Sequence, residues 1–212
     1  MSTLVRKTYG ILARISAHFR VLIHVGDEDP RLDRLIAALA RSDKDSRRVR
    51  ADRILWLSDH FPEPGGAVFE HGERLELRNE ARQCYLDGRF TAVVLVATAY
   101  VEQSIVARLL ELGHTCDDRI CYSSAVKLAT EQRVYREDLL GRAGSMGEKR
   151  NAYAHLRALE HPLSFTGRYL AARKHPRLLR EADAKEALGL MDDFFRASLR
   201  AFDWDTAFTS GG

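Results

Sequence analysis

The sequence predicts an all-α protein, an up-down helical bundle with an additional helical segment at the N-terminus. Three observations carry this. Apolar residues recur at i, i+3 and i+4 along most of the chain. Gly88, Gly113 and Pro162 stand where such runs stop. No turn-separated run of alternating polarity, the mark of strands, interrupts the pattern. With 212 residues the chain can hold one good core, or one domain and a helical extension.

Residues 4–25 place Leu4, Ile11, Leu12, Ile15, Phe19, Leu22 and Ile23 close to one helical face. The stretch from Asp27 breaks that rhythm, and Pro30 opens a second helix, "PRLDRLIAALARS", at the tolerated first-turn position. A third segment, "DSRRVRADRILWLSDHF", ends before the turn signal "PEPGG". These three helices form an extension over 1–72 in which no chemistry stands out. A bundle is expected over 73–204, with 205–212 a loose tail.

The bundle opens with "ERLELRNEARQCYLDG", a helix closed by Gly88. "RFTAVVLVATAYVEQSIVARLLELG" follows, apolar almost all round in its first half, so it needs neighbours on most sides. The run Val93-Val94-Leu95-Val96 would suit a buried strand, but Ala92, Ala97, Ala99 and the uninterrupted length favour helix. "HTCDDRICYSS" reads as a loop before a short helix from Ser124 to Thr130. "YREDLLGRAGSMGEK" reads as helix and then a glycine-punctuated connection. A further helix begins near Arg150 and ends at Pro162. Leu163 to Arg180 is mixed and basic, and "READAKEALGLMDDFFRASLRAFD" supplies the last helix.

Charge is high but balanced: 33 Lys and Arg face 30 Asp and Glu, a formal +3. That balance argues for a folded soluble protein, and a nucleic-acid partner would have to come from local clustering. "FTAVVLVATAYVE" is the best candidate for a membrane span, but it meets Glu102 and falls short of the roughly 18 apolar residues required. Arg14, His18 and Arg20 interrupt the N-terminal apolar residues, which argues against a signal peptide. Cys84, Cys116 and Cys121 show no C-x-x-C spacing, so neither a disulfide framework nor a zinc cluster is expected. A reducing, cytoplasmic location fits.

One stretch, "EKRNAYAHLRALEHP", calls for a second reading. An Arg or His on an amphipathic helix is ordinarily solvated or a capping partner. Here Asn151 and His155 are an i, i+4 pair sharing a face, whereas Arg150 lies about 140° round and about 7.5 Å along from His155. Placed at a helix start, Arg150 could still reach the His, and the free N–H groups there would favour phosphate. Arg offers a planar bidentate phosphate binder, Asn an amide donor, and His a group titrating near neutral pH. Such a set suits phosphodiester cleavage without a metal.

The spacing R-N-x-x-x-H resembles the R-x4–6-H signature of HEPN domains (higher eukaryotes and prokaryotes nucleotide-binding). "ARQCYLDGRFTAVVLVATAYVEQSIVARLL" looks like the two leading HEPN helices, with Glu102 as the internal acidic residue, and the resemblance covers about 75–202. It implies a HEPN-like helical bundle and metal-independent RNA cleavage in a homodimer, with no cofactor. Arg150 and His155 would be catalytic, Asn151 supporting, and Glu102 a partner of Arg150. The family also implies a toxin or defence role, with an antitoxin or regulatory partner. The alternative is a HEPN module that has lost cleavage and dimerises, binds nucleotide or acts as a scaffold. A helical interaction protein outside the family is a third possibility.

"GRYLAARKHPRLLR" carries Arg168, Arg173, Lys174 and Arg177 with no acid among them. Such a run is ordinarily a solvated connector; with Lys149 and Arg157 it would form an RNA-contacting rim. His155 and His161 miss the i, i+4 spacing of helical metal ligands, so no metal site is expected. No Walker-type phosphate loop, GxGxxG fingerprint or nucleophile elbow is present.

Overall fold

The computed structural model describes residues 29–62, 72–117, 120–155, 158, 161 and 164–200. The expected helix over 4–25 and the tail over 205–212 lie outside the described residues. Among those described, seven helices and no strand are present: α1 (Pro30–His60), α2 (Gly72–Leu86), α3 (Phe90–Glu111), α4 (Tyr122–Glu131), α5 (Glu137–Ala154), α6 (Phe165–Ala172) and α7 (Pro176–Arg200). The protein is an all-α bundle. It divides into two compact units between Arg48 and Val49.

Where two N-terminal helices were expected after Pro30, α1 runs without a break. No Gly or Pro falls between Pro30 and His60, and Arg47 donates to Asp43 at 2.9 Å across one turn. At its start, Asp29 accepts the Arg31 backbone N–H at 2.9 Å, a capping bond that also holds its carboxyl below the usual range. In the first unit Leu32, Leu35, Ile36 and Leu39 share one face and are exposed.

The second unit is built around α3. Val93, Val94, Ala97, Tyr100, Val101, Ile105 and Leu109 are essentially inaccessible. The helix packs most extensively on α7 and α2, and also meets α4 and α5. Two buried hydroxyls on α3 are satisfied by the helix itself, Thr98 donating to the Val94 carbonyl at 2.8 Å and Ser104 to Tyr100 at 2.9 Å. Phe90–Glu111 is long and apolar enough to cross a membrane, contrary to the shorter estimate from Phe90 to Glu102. Within the bundle half of that apolar stretch is buried against neighbouring helices.

Gly88 behaves as the sequence suggests, with φ at +74° closing α2. A second reason appears in the fold. Buried Arg53, from the end of α1, donates to the Leu86 carbonyl at 2.8 Å and lies over the Phe90 ring. A Cβ on Gly88 would sit 2.8 Å from that guanidinium. The cation thus caps the negative end of α2, and glycine is required for its approach.

The largest departure from the sequence reading concerns α5. Gly144 and Gly147 were expected to loosen a connection before a new helix, yet both lie inside one continuous helix that ends at Ala154, not Pro162. Leu139, Leu140, Ala143, Met146 and Gly147 form its buried stripe. Gly147 is where α4 approaches: the Tyr122 ring lies across it, a Cβ there would fall 2.7 Å from Cε1, and the Tyr122 hydroxyl donates to the Ala143 carbonyl at 2.9 Å. The mixed basic segment resolves into α6 and the start of α7, joined at Arg173 in the left-handed conformation (φ +50°).

The glycines of α5 therefore separate by substitution. Gly147→Ala should destabilise the protein by about 1–3 kcal/mol through overpacking. Gly144→Ala, with nothing within 4 Å of the new Cβ, should stabilise it by about 0.5–1 kcal/mol. Urea unfolding of the two variants beside wild type measures both signs.

Candidate functional site

The α5 stripe delivers Arg150. Leu139, Ala143 and Met146 recur at helical spacing and Arg150 is the next position on that line, so its guanidinium is partly buried rather than solvated. It stands four residues before the end of α5, not in a first turn. The phosphate-binding N–H groups expected there are absent, because the helix has already run for three turns and more before Arg150. What lies nearby is the carbonyl end, which favours cations.

His155 is the residue just beyond the helix. Its backbone is extended (φ −133°, ψ 139°), its N–H donates to the Asn151 carbonyl at 3.0 Å, and the residue is exposed. The shared helical face expected for Asn151 and His155 is therefore not formed. Asn151 instead bonds its neighbour: Arg150 Nη1 donates to Asn151 Oδ1 at 3.4 Å, a long contact. The helix ends here rather than at Pro162, and α6 is tied to α7 by the Arg168–Asp183 pair.

Glu102 of α3 is half-buried and within the field of Arg150. Burial pushes its carboxyl above the ordinary glutamate range, and the Arg150 charge pulls the other way. Buried Tyr122 responds to both groups: its hydroxyl is raised by burial first and by Glu102 second, with Arg150 opposing. Arg150, Glu102 and Tyr122 thus form one electrostatic cluster, although Glu102 and Arg150 make no direct ion pair. Sequence reasoning missed Tyr122. Its only trace was Gly147, a residue whose place in a helix interior signals close approach.

The basic rim contracts. Lys149 Nζ is paired with Glu186 of α7 at 2.6 Å. Arg168 donates both terminal nitrogens to buried Asp183, at 2.8 and 2.6 Å, and that carboxylate strengthens its hold on its proton. Neither cation is free to serve as a phosphate contact without leaving a carboxylate behind. Arg173, Lys174 and Arg177 remain exposed around the α6–α7 turn, and Arg157 lies outside the described residues. Asp183 has another partner that sequence reasoning missed, the Tyr153 hydroxyl at 2.5 Å.

Among the described residues, no three His, Cys, Asp or Glu side chains gather to hold a metal ion. An open groove of about 450 Å³ between the end of α1 and α2 is lined by Leu57, Phe61, Asn79, Arg82 and Leu86, and includes no residue of the motif. Exposed Cys121 precedes α4, and contacts with the Ser123 and Ser124 hydroxyls lower its thiol to about 7. Burial raises that of Cys84. No family model, curated protein or solved structure matches this chain.

Two outcomes follow from these charges. Iodoacetamide at pH 7 should alkylate Cys121 well ahead of Cys84, as peptide mass mapping after a short pulse would show. Because the folded chain binds the Glu102 proton more tightly than the unfolded chain, that residue favours folding below the unfolded pKa. The contribution is lost as pH rises through the folded value. Glu102→Gln should accordingly match wild type near pH 4 and exceed its urea midpoint at pH 7; a lower midpoint at pH 7 would contradict the burial cost.

Proposed function

We propose that the protein is a metal-independent endoribonuclease of HEPN type, with Arg150 and His155 as its catalytic pair. The observation that supports this best is the placement of a partly buried cation and an exposed imidazole at one helix end, beside a half-buried carboxylate. Burial of Glu102 is costly, and retention of a costly charge beside Arg150 fits a site rather than a scaffold core. In the proposed reaction an RNA 2′-hydroxyl attacks the adjacent phosphate in line. His155 takes the hydroxyl proton or protonates the leaving oxygen, and Arg150 stabilises charge on the pentacoordinate phosphorus. One imidazole serves one transfer at a time, so a homodimer supplying a second His155 suits the chemistry. A toxin or defence role, held in check by an antitoxin or regulatory protein, is the setting such an activity requires.

Pairing of Lys149 with Glu186 and of Arg168 with Asp183 favours a second reading, a non-catalytic HEPN-like module that dimerises or binds nucleotide. With those two cations neutralised, less of the surface remains to hold an RNA backbone.

Incubation of the purified chain with structured and unstructured RNA in EDTA separates the two. The ribonuclease should leave 2′,3′-cyclic phosphate ends. His155→Ala should lower the rate by about 10²–10⁴-fold, and Arg150→Ala by about 10²–10³-fold. Absence of cleavage, or equal cleavage by both variants, leaves the scaffold reading standing instead.

A further inference from the structure

His155 has no helix to hold it, since the chain turns extended at that residue. Its orientation must be set by what fixes the backbone on either side. On the near side stands Tyr153, two residues earlier in the last turn of α5, whose hydroxyl donates to Asp183 Oδ2 at 2.5 Å. On the far side stands Arg168 of α6, which donates to Asp183 Oδ2 at 2.8 Å and to Oδ1 at 2.6 Å. The chain enters α6 at buried Ser164, whose hydroxyl accepts the Gly167 backbone N–H at 2.9 Å. Asp183 itself is 3% exposed, and Ala184, Ala187 and Leu188 of the same helix are buried with it.

One carboxylate thus grips both the helix that ends before His155 and the helix that begins after it. Three donated hydrogen bonds compensate the burial of its charge, and each is charge-assisted, so the last turn of α5 is held firmly to α7. The phenol must keep its proton to donate, and burial together with the facing carboxylate raises its hydroxyl.

We propose that Asp183, acting through Tyr153 and itself held by Arg168, is the positioning residue for His155: it anchors the last turn of α5 two residues before His155 and so sets the imidazole relative to Arg150. The assignment rests on the ribonuclease reading for its catalytic consequence. Arg168, singled out in the sequence as an RNA contact, becomes part of the scaffold that aims the imidazole. Tyr153, read only as a spacer in the motif, becomes its near anchor.

The test uses the full-length chain with Tyr153→Phe and Asp183→Asn. Tyr153→Phe keeps the ring and leaves the Arg168–Asp183 pair intact, so it provides a folded variant even where Asp183→Asn unfolds. Ring resonances in a ¹H–¹³C spectrum report the imidazoles, with His155 assigned by its loss in His155→Ala and His60 and His114 as internal controls. The expected result is a shifted or broadened His155 resonance in the variants while both controls stay in place. RNA cleavage should show kcat lowered about ten- to a hundredfold, the cost of a misplaced group, with KM within about twofold. An unmoved His155 resonance, or movement of all three imidazoles together, overturns the assignment. Failure of the wild type to cleave RNA would count against the ribonuclease alone, because the resonance of His155 still decides whether Asp183 positions it.

Discussion

Enclosure of α3 is the constraint on which the rest of the bundle depends. A helix with Val93, Val94, Ala97, Tyr100, Val101, Ile105 and Leu109 all inaccessible has to be surrounded, and α2, α4, α5 and α7 do so. The hydrophobic effect sets the scale: each fully buried aliphatic or aromatic side chain contributes about 1.5–3 kcal/mol relative to exposure. Polar groups on such a helix must be satisfied locally, as Thr98 and Ser104 are by their own turn. Glu102 cannot use that route, because a carboxylate has no proton to give back to a carbonyl. Its stabilisation comes from the field of Arg150 across the helix interface, and that only partly offsets burial.

The position of Arg150 is in turn fixed by how closely α4 and α5 meet. Tyr122 lies flat against the hydrogen face of Gly147 and reaches the Ala143 carbonyl. A side chain at residue 147 would push the phenol outward, and the guanidinium one turn later would lose its place beside Glu102. Packing, charge placement and the candidate site are therefore one problem along a single stripe of α5. Arg53 does comparable work at the other side of α3, where Gly88 lets a buried cation reach a helix end and the Phe90 ring.

Much of this was legible in the residues. The Asp29–Pro30 start of α1, the closure of α2 at Gly88 and the apolar girth of α3 follow from local chemistry, and each is present. Misreading concentrated on α5, since glycine has two uses that look alike in sequence: freeing a loop and admitting a neighbour. Only the Tyr122 ring, 25 residues earlier by number, tells which applies at Gly147. The end of the same helix was assigned to Pro162 because proline is a visible stop, whereas the actual stop coincides with a junction made by Asp183, far along the chain. The pairs Lys149–Glu186 and Arg168–Asp183 were hidden because their acids lie 37 and 15 residues further along the chain, on α7.

Relocating Arg150 and His155 from the start of a helix to its end changes the electrostatics of the site. At an N-terminus the backbone itself would attract a phosphate, and the side chains would only refine its position. At the carbonyl end the dipole repels an incoming anion instead. Any phosphate bound here must be held by side-chain charge, against Glu102 and the last carbonyls of α5. The raised carboxyl of Glu102 bears on that competition. Burial weakens its hold as a carboxylate, so it claims the guanidinium less firmly than an exposed glutamate would. A half-buried glutamate beside a half-buried arginine is thus a poor stabilising pair and a good means of keeping a cation available, which is the property a phosphate site at this end of a helix would need.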